Sequence, residues 1–311
     1  MQDIIGVDIS KDWLDAFRQS DRLHARFGND TAGHKKLLRW IGPAAGARII
    51  FEPTGPYHRQ LEKALSAGGV ALVKVNPRQA RRFAEATGTQ AKTDKVDAML
   101  LARMGAVLDL EPCASRSETL HELRELHVAR HALIKDRTAA GNRAETASQP
   151  ILKRQAQARL ALIAKQLADI DATIAERIAV DPALSGRLDI LTSIPGIGAV
   201  TAFALLIEMP ELGSLEPKQA ASLAGLAPIS RQSGKWQGKE RIRGGRATLR
   251  CAIFMPALVA IRDNKDLKRK YDQLVENGKP PKLAITAIMR KLVVLANALL
   301  RDQRKWAEIP T

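Results

Sequence analysis

Apolar residues over the first hundred positions recur in two rhythms, one of strands and one of helices, divided by short polar breaks. Ile4–Ser10 (Ile-Ile-Gly-Val-Asp-Ile-Ser) has the pattern of a buried strand with Asp8 near its end. Trp13–Arg18 and His24–Gly28 read as second and third strands, with a turn at Ser20-Asp21. Thr31 suits the cap of a helix running to about Ile41, where Leu37, Leu38 and Trp40 are apolar. The β-branched run Arg48–Phe51 predicts a strand ending at Glu52, before the breakers Pro53-Thr54-Gly55-Pro56. A helix to about Ala67, a Gly-Gly turn, a strand over Ala71–Val75 and helices at Arg78–Glu85 and from Asp94 onward follow. Three strands and then alternating helices and strands predict a mixed α/β layout.

From Ser117 to about Asp181 the rhythm is helical throughout. Leu120, Leu123, Leu126 and Leu133 recur at helical spacing, and Pro150 interrupts. Leu160, Ile163, Leu167, Ile170, Ile174 and Ile178 then repeat every three or four residues, an a/d seam of nearly three heptads. Two long helices, in a hairpin, are expected to form a coiled-coil connector or a dimerisation arm. His121, His127 and His131 lie in the first of them and are expected to face solvent or RNA. Near Leu188 a third region begins. Ser193-Ile194-Pro195-Gly196-Ile197-Gly198 sits between two apolar helical stretches and matches a helix-hairpin-helix turn, although a plain glycine-rich turn fits the same residues. In such a hairpin, Gly196 and Gly198 let the backbone approach a phosphate and point N–H groups at it. Lys282–Leu300 closes the chain as an amphipathic helix of the core. The expected division is 1–110, 111–185 and 186–311.

Charge changes the picture more than composition does. The chain has 311 residues with an ordinary 45% hydrophobic content, but its formal net charge is +16 and its pI about 10.1. A surplus of that size points to a polyanion, with nucleic acid first. A membrane partner is not expected, since no apolar run approaches the ~18 residues of a spanning helix and no lipidation motif is present. The N-terminus lacks the basic and apolar regions of a signal peptide. Cys113 and Cys251 provide neither a disulfide framework nor a cysteine zinc site, which fits a reducing cytoplasm.

The candidate chemistry centres on Ala91–Ala98, where Asp94 and Asp97 open a helix three residues apart. That spacing puts both carboxylates on one face, about 5–6 Å apart at Cβ. Alone, such a pair is more simply an acidic first turn complementing the helix dipole. Asp8 and Glu52, however, end strands of an open α/β sheet, where ligand crevices form. Four carboxylates from three distant segments are expected to converge on one or two divalent ions, Mg²⁺ or Mn²⁺, which take oxygen ligands. Lys92 and Lys95 flank them as candidate phosphate contacts. Downstream, residues 231–250 hold seven Lys or Arg against the single acid Glu240. Arg231, Lys235, Lys239, Arg241, Arg243, Arg246 and Arg250 form a basic loop and helix start suited to a nucleic-acid backbone. Its only aromatic residue is Trp236, too few for a stacking platform.

Together, Gly6-Val7-Asp8, Phe51-Glu52-Pro53-Thr54-Gly55, Asn76-Pro77, Lys92-Thr93-Asp94-Lys95-Val96-Asp97-Ala98, Ile194-Pro195-Gly196-Ile197-Gly198 and Ser233-Gly234 resemble the DEDD transposases of the insertion-sequence-one-ten family. These are relatives of the pilin-gene invertases, and the resemblance runs over nearly the whole chain. It implies an RNase H/RuvC-like N-terminal domain with the tetrad Asp8, Glu52, Asp94 and Asp97, a coiled-coil connector, and a mainly helical C-terminal transposase domain. It also implies that Ser233 is a nucleophile forming a phosphoserine bond to DNA; Ser230, three residues earlier, is the competing serine. The resemblance further implies donor and target DNA as substrates, a structured non-coding guide RNA, dimers assembling into a tetramer, a site composed from two subunits, and a bacterial cytoplasmic, nucleoid-associated setting. Three alternatives stand beside it. A RuvC-like nuclease or resolvase would use water, a sugar-kinase-type ATPase shares Gly6-Val7-Asp8 after a strand, and a non-enzymatic RNA- or DNA-binding protein needs no catalytic group.

Overall fold

Three consecutive strands, β1 (Asp3–Ile9), β2 (Trp13–Arg18) and β3 (His24–Gly28), form an antiparallel meander at one side of a five-stranded sheet. The computed structural model describes residues 3–43, 46–53, 55–89, 91, 93–110, 112 and 117–307. Contacts divide the chain into two units, Met1–Arg116 and Ser117–Thr311. In the first, β4 (Ala47–Phe51) runs parallel to β1 and β5 (Ala71–Lys74) parallel to β4, giving the order β3-β2-β1-β4-β5. The central strands β1 and β4 are covered on both faces, which explains their nearly unbroken apolar sequences. Ile5, Val7, Ile9, Ile49 and Phe51 pack with Leu37, Leu61 and Leu65 of α1 (Thr31–Ile41) and α2 (His58–Ala67). On the opposite face Ile50 and Val73 meet Ala80 of α3 (Pro77–Ala86) and Leu101 and Met104 of α4 (Asp94–Val107).

The second unit is helical. α5 (Glu118–Thr146) and α6 (Pro150–Val180) are joined by three residues and pack along each other as a hairpin. The leucine and isoleucine seam is used within the chain: Ile163 and Leu167 pack with Ala140, while Ile174 and Ile178 join Leu123 in the main helical core. Arg130 of α5 donates two hydrogen bonds to Asp171 of α6, from Nε at 2.6 Å and Nη2 at 3.1 Å. His127 departs from the expectation of a solvated face. It is 2% exposed, because α5 turns this position toward α8 (Ala199–Glu208) and Glu208. Its Nε2 lies 3.2 Å from His131 Nε2, and burial, then the charges of His131, Arg130 and Arg124, hold it near pKa 4.

The remaining helices are α7 (Pro182–Thr192), α9 (Pro217–Leu223), α10 (Ala247–Asp263), α11 (Lys265–Glu276) and α12 (Pro281–Arg301). α12 corrects the reading that no apolar run is long enough to span a membrane; by length and composition this helix is. Half of it is nevertheless buried, against α7, α9, α10 and α11, as a core helix requires. Its buried Asn297 accepts from the Gly213 N–H at 2.8 Å and donates to the Leu215 carbonyl at 2.7 Å, so the polar side chain is satisfied by the loop it secures. Residues 231–250 were expected to be a loop followed by a helix start; α10 does begin at Ala247, but the segment before it carries two small antiparallel ladders. β6 (Pro228–Ile229) pairs with β9 (Arg241–Ile242), and β7 (Gln232–Ser233) with β8 (Trp236–Gln237).

Candidate active site

One glycine sets the geometry of the acidic corner. A Cβ on Gly6 would overlap the Ala98 carbonyl oxygen and the Ala102 nitrogen, so α4 lies against β1 only because residue 6 has no side chain. Two residues further along β1, about 6.6 Å, comes Asp8. Four residues back along α4, about 6 Å, comes Asp94. The Thr93 hydroxyl caps α4 by accepting from the Val96 N–H, so Asp94 and Asp97 open its first turn. Burial raises the Asp8 carboxyl from 3.8 to about 6, and the nearby charges of Asp97, Asp94 and Asp15 add to it. β1 and β4 are in register at Val7 and Phe51, the last residue of β4, and Glu52 is the residue after it. Glu52 thus follows the last paired position of β4, as Asp8 follows Val7 on β1.

Asp15 and Arg26 were not among the expected site residues. Asp15 on β2 is the cross-strand partner of Asp8, and Arg26 on β3 is the partner of Asp15. Asp15 is 2% exposed, and Arg26 covers it with Nε at 3.0 and 3.1 Å from its two oxygens. The same guanidinium reaches Asp94 Oδ2 at 3.0 Å through Nη2. A row Asp8–Asp15–Arg26 therefore crosses three strands, with Asp94 and Asp97 near it, and Glu52 follows the end of the neighbouring β4. The available signal was the charge at position 15, between Trp13 and Phe17 on the inward face of an otherwise apolar strand. Every acidic group in the row offers carboxylate oxygens, the donors that Mg²⁺ and Mn²⁺ accept. Among the described residues no three His, Cys, Asp or Glu side chains form a ready-made metal cage. Arg26 supplies part of the positive charge the cluster needs.

Ser233 is exposed on β7 beside its cross-strand partner Trp236. The two-residue turn between them begins at Gly234 with φ +56°, a conformation that costs glycine little. Ser230 is also exposed, outside the small ladders.

A transposase family model of the DEDD type matches residues 5–149, and a model of the transposase IS116/IS110/IS902 family matches residues 188–272. The pilin gene-inverting protein of Moraxella bovis is 32% identical over 318 residues, covering 97% of each chain. The chain belongs to the IS110 transposase family. The Moraxella lacunata pilin gene-inverting protein matches this family member equally far, at 32% identity and 97% of each chain. A 43.6 kDa insertion element IS110 protein of Streptomyces coelicolor is 34% identical over 116 residues, 36% of this chain and 28% of that one.

The basic residues of this IS110-family transposase fall into two groups. Arg231, Lys235, Lys239, Arg241 and Arg243 are exposed along the small ladders. Arg246 and Arg250 secure the base of the same segment. Arg246 forks onto Glu211 at 2.6 and 2.7 Å, and Arg250 donates to the Gly244 carbonyl at 2.9 Å. Gly196 has φ +98°, and a Cβ there would lie 2.7 Å from the Pro256 carbonyl oxygen, so α10 packs against it. Gly198 is exposed at the start of α8. Lys95 is exposed on the first turn of α4, where its charge is felt at His24. Lys92 and Thr54 lie outside the described residues.

Proposed function

We propose that this family member cleaves and rejoins DNA as a metal-dependent DEDD transposase with Ser233 as nucleophile. The observation that carries the reading is the gathering of Asp8, Asp94 and Asp97 at one corner of the sheet, where burial first, and then the charges of Asp97 and Asp94, raise the Asp8 carboxyl to about 6. The order β3-β2-β1-β4-β5, antiparallel then parallel, supports an RNase H/RuvC-like fold for the first unit. The α7–turn–α8 segment supports a helix-hairpin-helix that holds a backbone phosphate. Asp8, Glu52, Asp94 and Asp97 are the residues proposed to hold Mg²⁺ or Mn²⁺. Bound there, such an ion would supply Lewis-acid stabilisation of the charge that builds on the scissile phosphate.

The chain's own groups do the rest. The Ser233 Oγ attacks phosphorus and forms an Oγ–P bond, while the bond from phosphorus to one deoxyribose oxygen breaks. The serine proton is lost to a base, and the departing oxygen ends as a hydroxyl. One phosphoester is exchanged for another, so a later hydroxyl attack on the phosphoserine reseals a strand without ATP. Exposed arginines 231, 241 and 243 orient the phosphate and share its developing charge. The +16 charge supports both a DNA substrate and a bound guide RNA, and the α5–α6 hairpin is the proposed arm of a homodimer or tetramer.

Ser233→Ala tests the reaction. Incubation of the chain, with any RNA it carries, with DNA of its own insertion junction should give a protein–DNA adduct that survives denaturation. The variant should give none and keep its fold, because the side chain is exposed. Cleavage that persists undiminished in the variant would assign the attack to water and make the protein a RuvC-like nuclease.

A further inference from the structure

An exposed aromatic ring stands beside the carboxylates, on the same face of the sheet. Trp13 begins β2 and shares its face with Asp15 and Phe17 by strand alternation. It is 51% exposed, whereas Phe17 on that face is buried with Ala98 and Ala102 of α4. The Arg26 guanidinium lies 5.9 Å from the Trp13 ring centroid while also binding Asp15 and Asp94. The indole is thus tied to the carboxylates through one side chain.

Its backbone is fixed as well. The Trp13 N–H donates to Ser10 Oγ at 3.1 Å, and the Trp13 carbonyl accepts from the Ser10 hydroxyl and N–H, both at 2.9 Å. The amide of Asn29, the residue after β3, donates to the Ser10 carbonyl at 2.8 Å and holds the same turn. A half-exposed indole on so well-anchored a turn keeps a π-face in place without further ordering.

We infer that Trp13 is a stacking platform for an unpaired nucleobase of the DNA strand presented to the carboxylates, with Arg26 setting the pose of the ring. The carboxylates themselves repel phosphates, so base stacking beside them adds an attraction for the strand that does not depend on charge. Bases in an intact duplex are already stacked, which restricts the platform to a strand opened beside the cleavage point. Any base satisfies it, because each has a π-face. This inference rests on the proposed DNA chemistry of the Asp8 site.

The test uses the full chain and two labelled probes, a short oligothymidylate and an abasic sugar-phosphate oligomer of equal length and charge. Binding is followed by fluorescence anisotropy at elevated salt, which suppresses the phosphate contribution. Trp13→Ala should weaken oligothymidylate binding about tenfold, leave the abasic oligomer unaffected and keep the salt slope. Trp13→Phe should recover most of the loss and exclude a folding defect. Equal loss on both probes, or none on oligothymidylate, would overturn the inference. Mg²⁺-dependent strand cleavage by the unaltered chain is measured in parallel. Its absence alongside a base-dependent loss would refute the proposed chemistry and keep Trp13 as a stacking residue.

Discussion

Asp8→Asn should make the first unit more stable while ending strand cleavage. In the folded chain the Asp8 carboxyl is raised from 3.8 to about 6, so its ionised form is held at a cost by burial and by Asp97, Asp94 and Asp15. Each pH step is equivalent to about 1.4 kcal/mol, which sets a ceiling of about 3 kcal/mol. Solvent reaches part of the group, and screening reduces this to roughly 1–2 kcal/mol. Asparagine keeps the size and removes the charge. For a unit of this size the gain corresponds to about 4–8 °C in Tm near pH 8. The sign follows from linkage: between pH 3.8 and about 6 the folded state binds more protons than the unfolded one, so the stability Asp8 contributes when protonated is lost as pH rises through 6. The advantage of the variant should therefore shrink to about a third near pH 4.5. Added Mg²⁺ should raise the Tm of the parent chain and not that of Asp8→Asn, because binding to the folded state alone stabilises it. Scanning calorimetry at several pH values with and without Mg²⁺ measures all of this. A variant that is less stable at pH 8, or whose advantage does not change with pH, would refute the reasoning.

Two other changes probe what holds the corner and the serine segment. Gly6→Ala forces a methyl group into the backbone of α4 and should cost about 3 kcal/mol or more, lowering Tm and removing Mg²⁺ stabilisation together; a variant of unchanged Tm would show that α4 does not depend on that approach. Arg246→Ala opens a fork to Glu211 that is partly exposed, so stability should fall by only about 1 kcal/mol. The yield of the Ser233–DNA adduct should fall far more, in a denaturing gel assay, because the base of the ladder segment is no longer held; adduct yield that follows stability alone would contradict this role.

Periodicity determined most of the architecture in advance. The strands β1 to β5, the helices from Thr31 to Val107 and the long pair split at Pro150 each follow from local apolar spacing and from breakers. A strand or helix face announces itself within a few residues. The positions of Asp8, Glu52, Asp94 and Asp97 near element ends were legible for the same reason, while their joint role is the proposal made above. Only the tertiary structure decided that Asp15 and Arg26 belong to the corner, because cross-strand partners are 7 and 11 residues apart and no local pattern encodes that register. It decided likewise that His127 is buried. A helical position is inward or outward only relative to its neighbour, here α8, some 80 residues later in the chain. Arg246 and Arg250 read as phosphate contacts while charge alone was visible, and became braces once Glu211 and the Gly244 carbonyl were placed. Local spacing determines which faces are apolar; which charged group meets which depends on contacts between distant segments that packing alone creates.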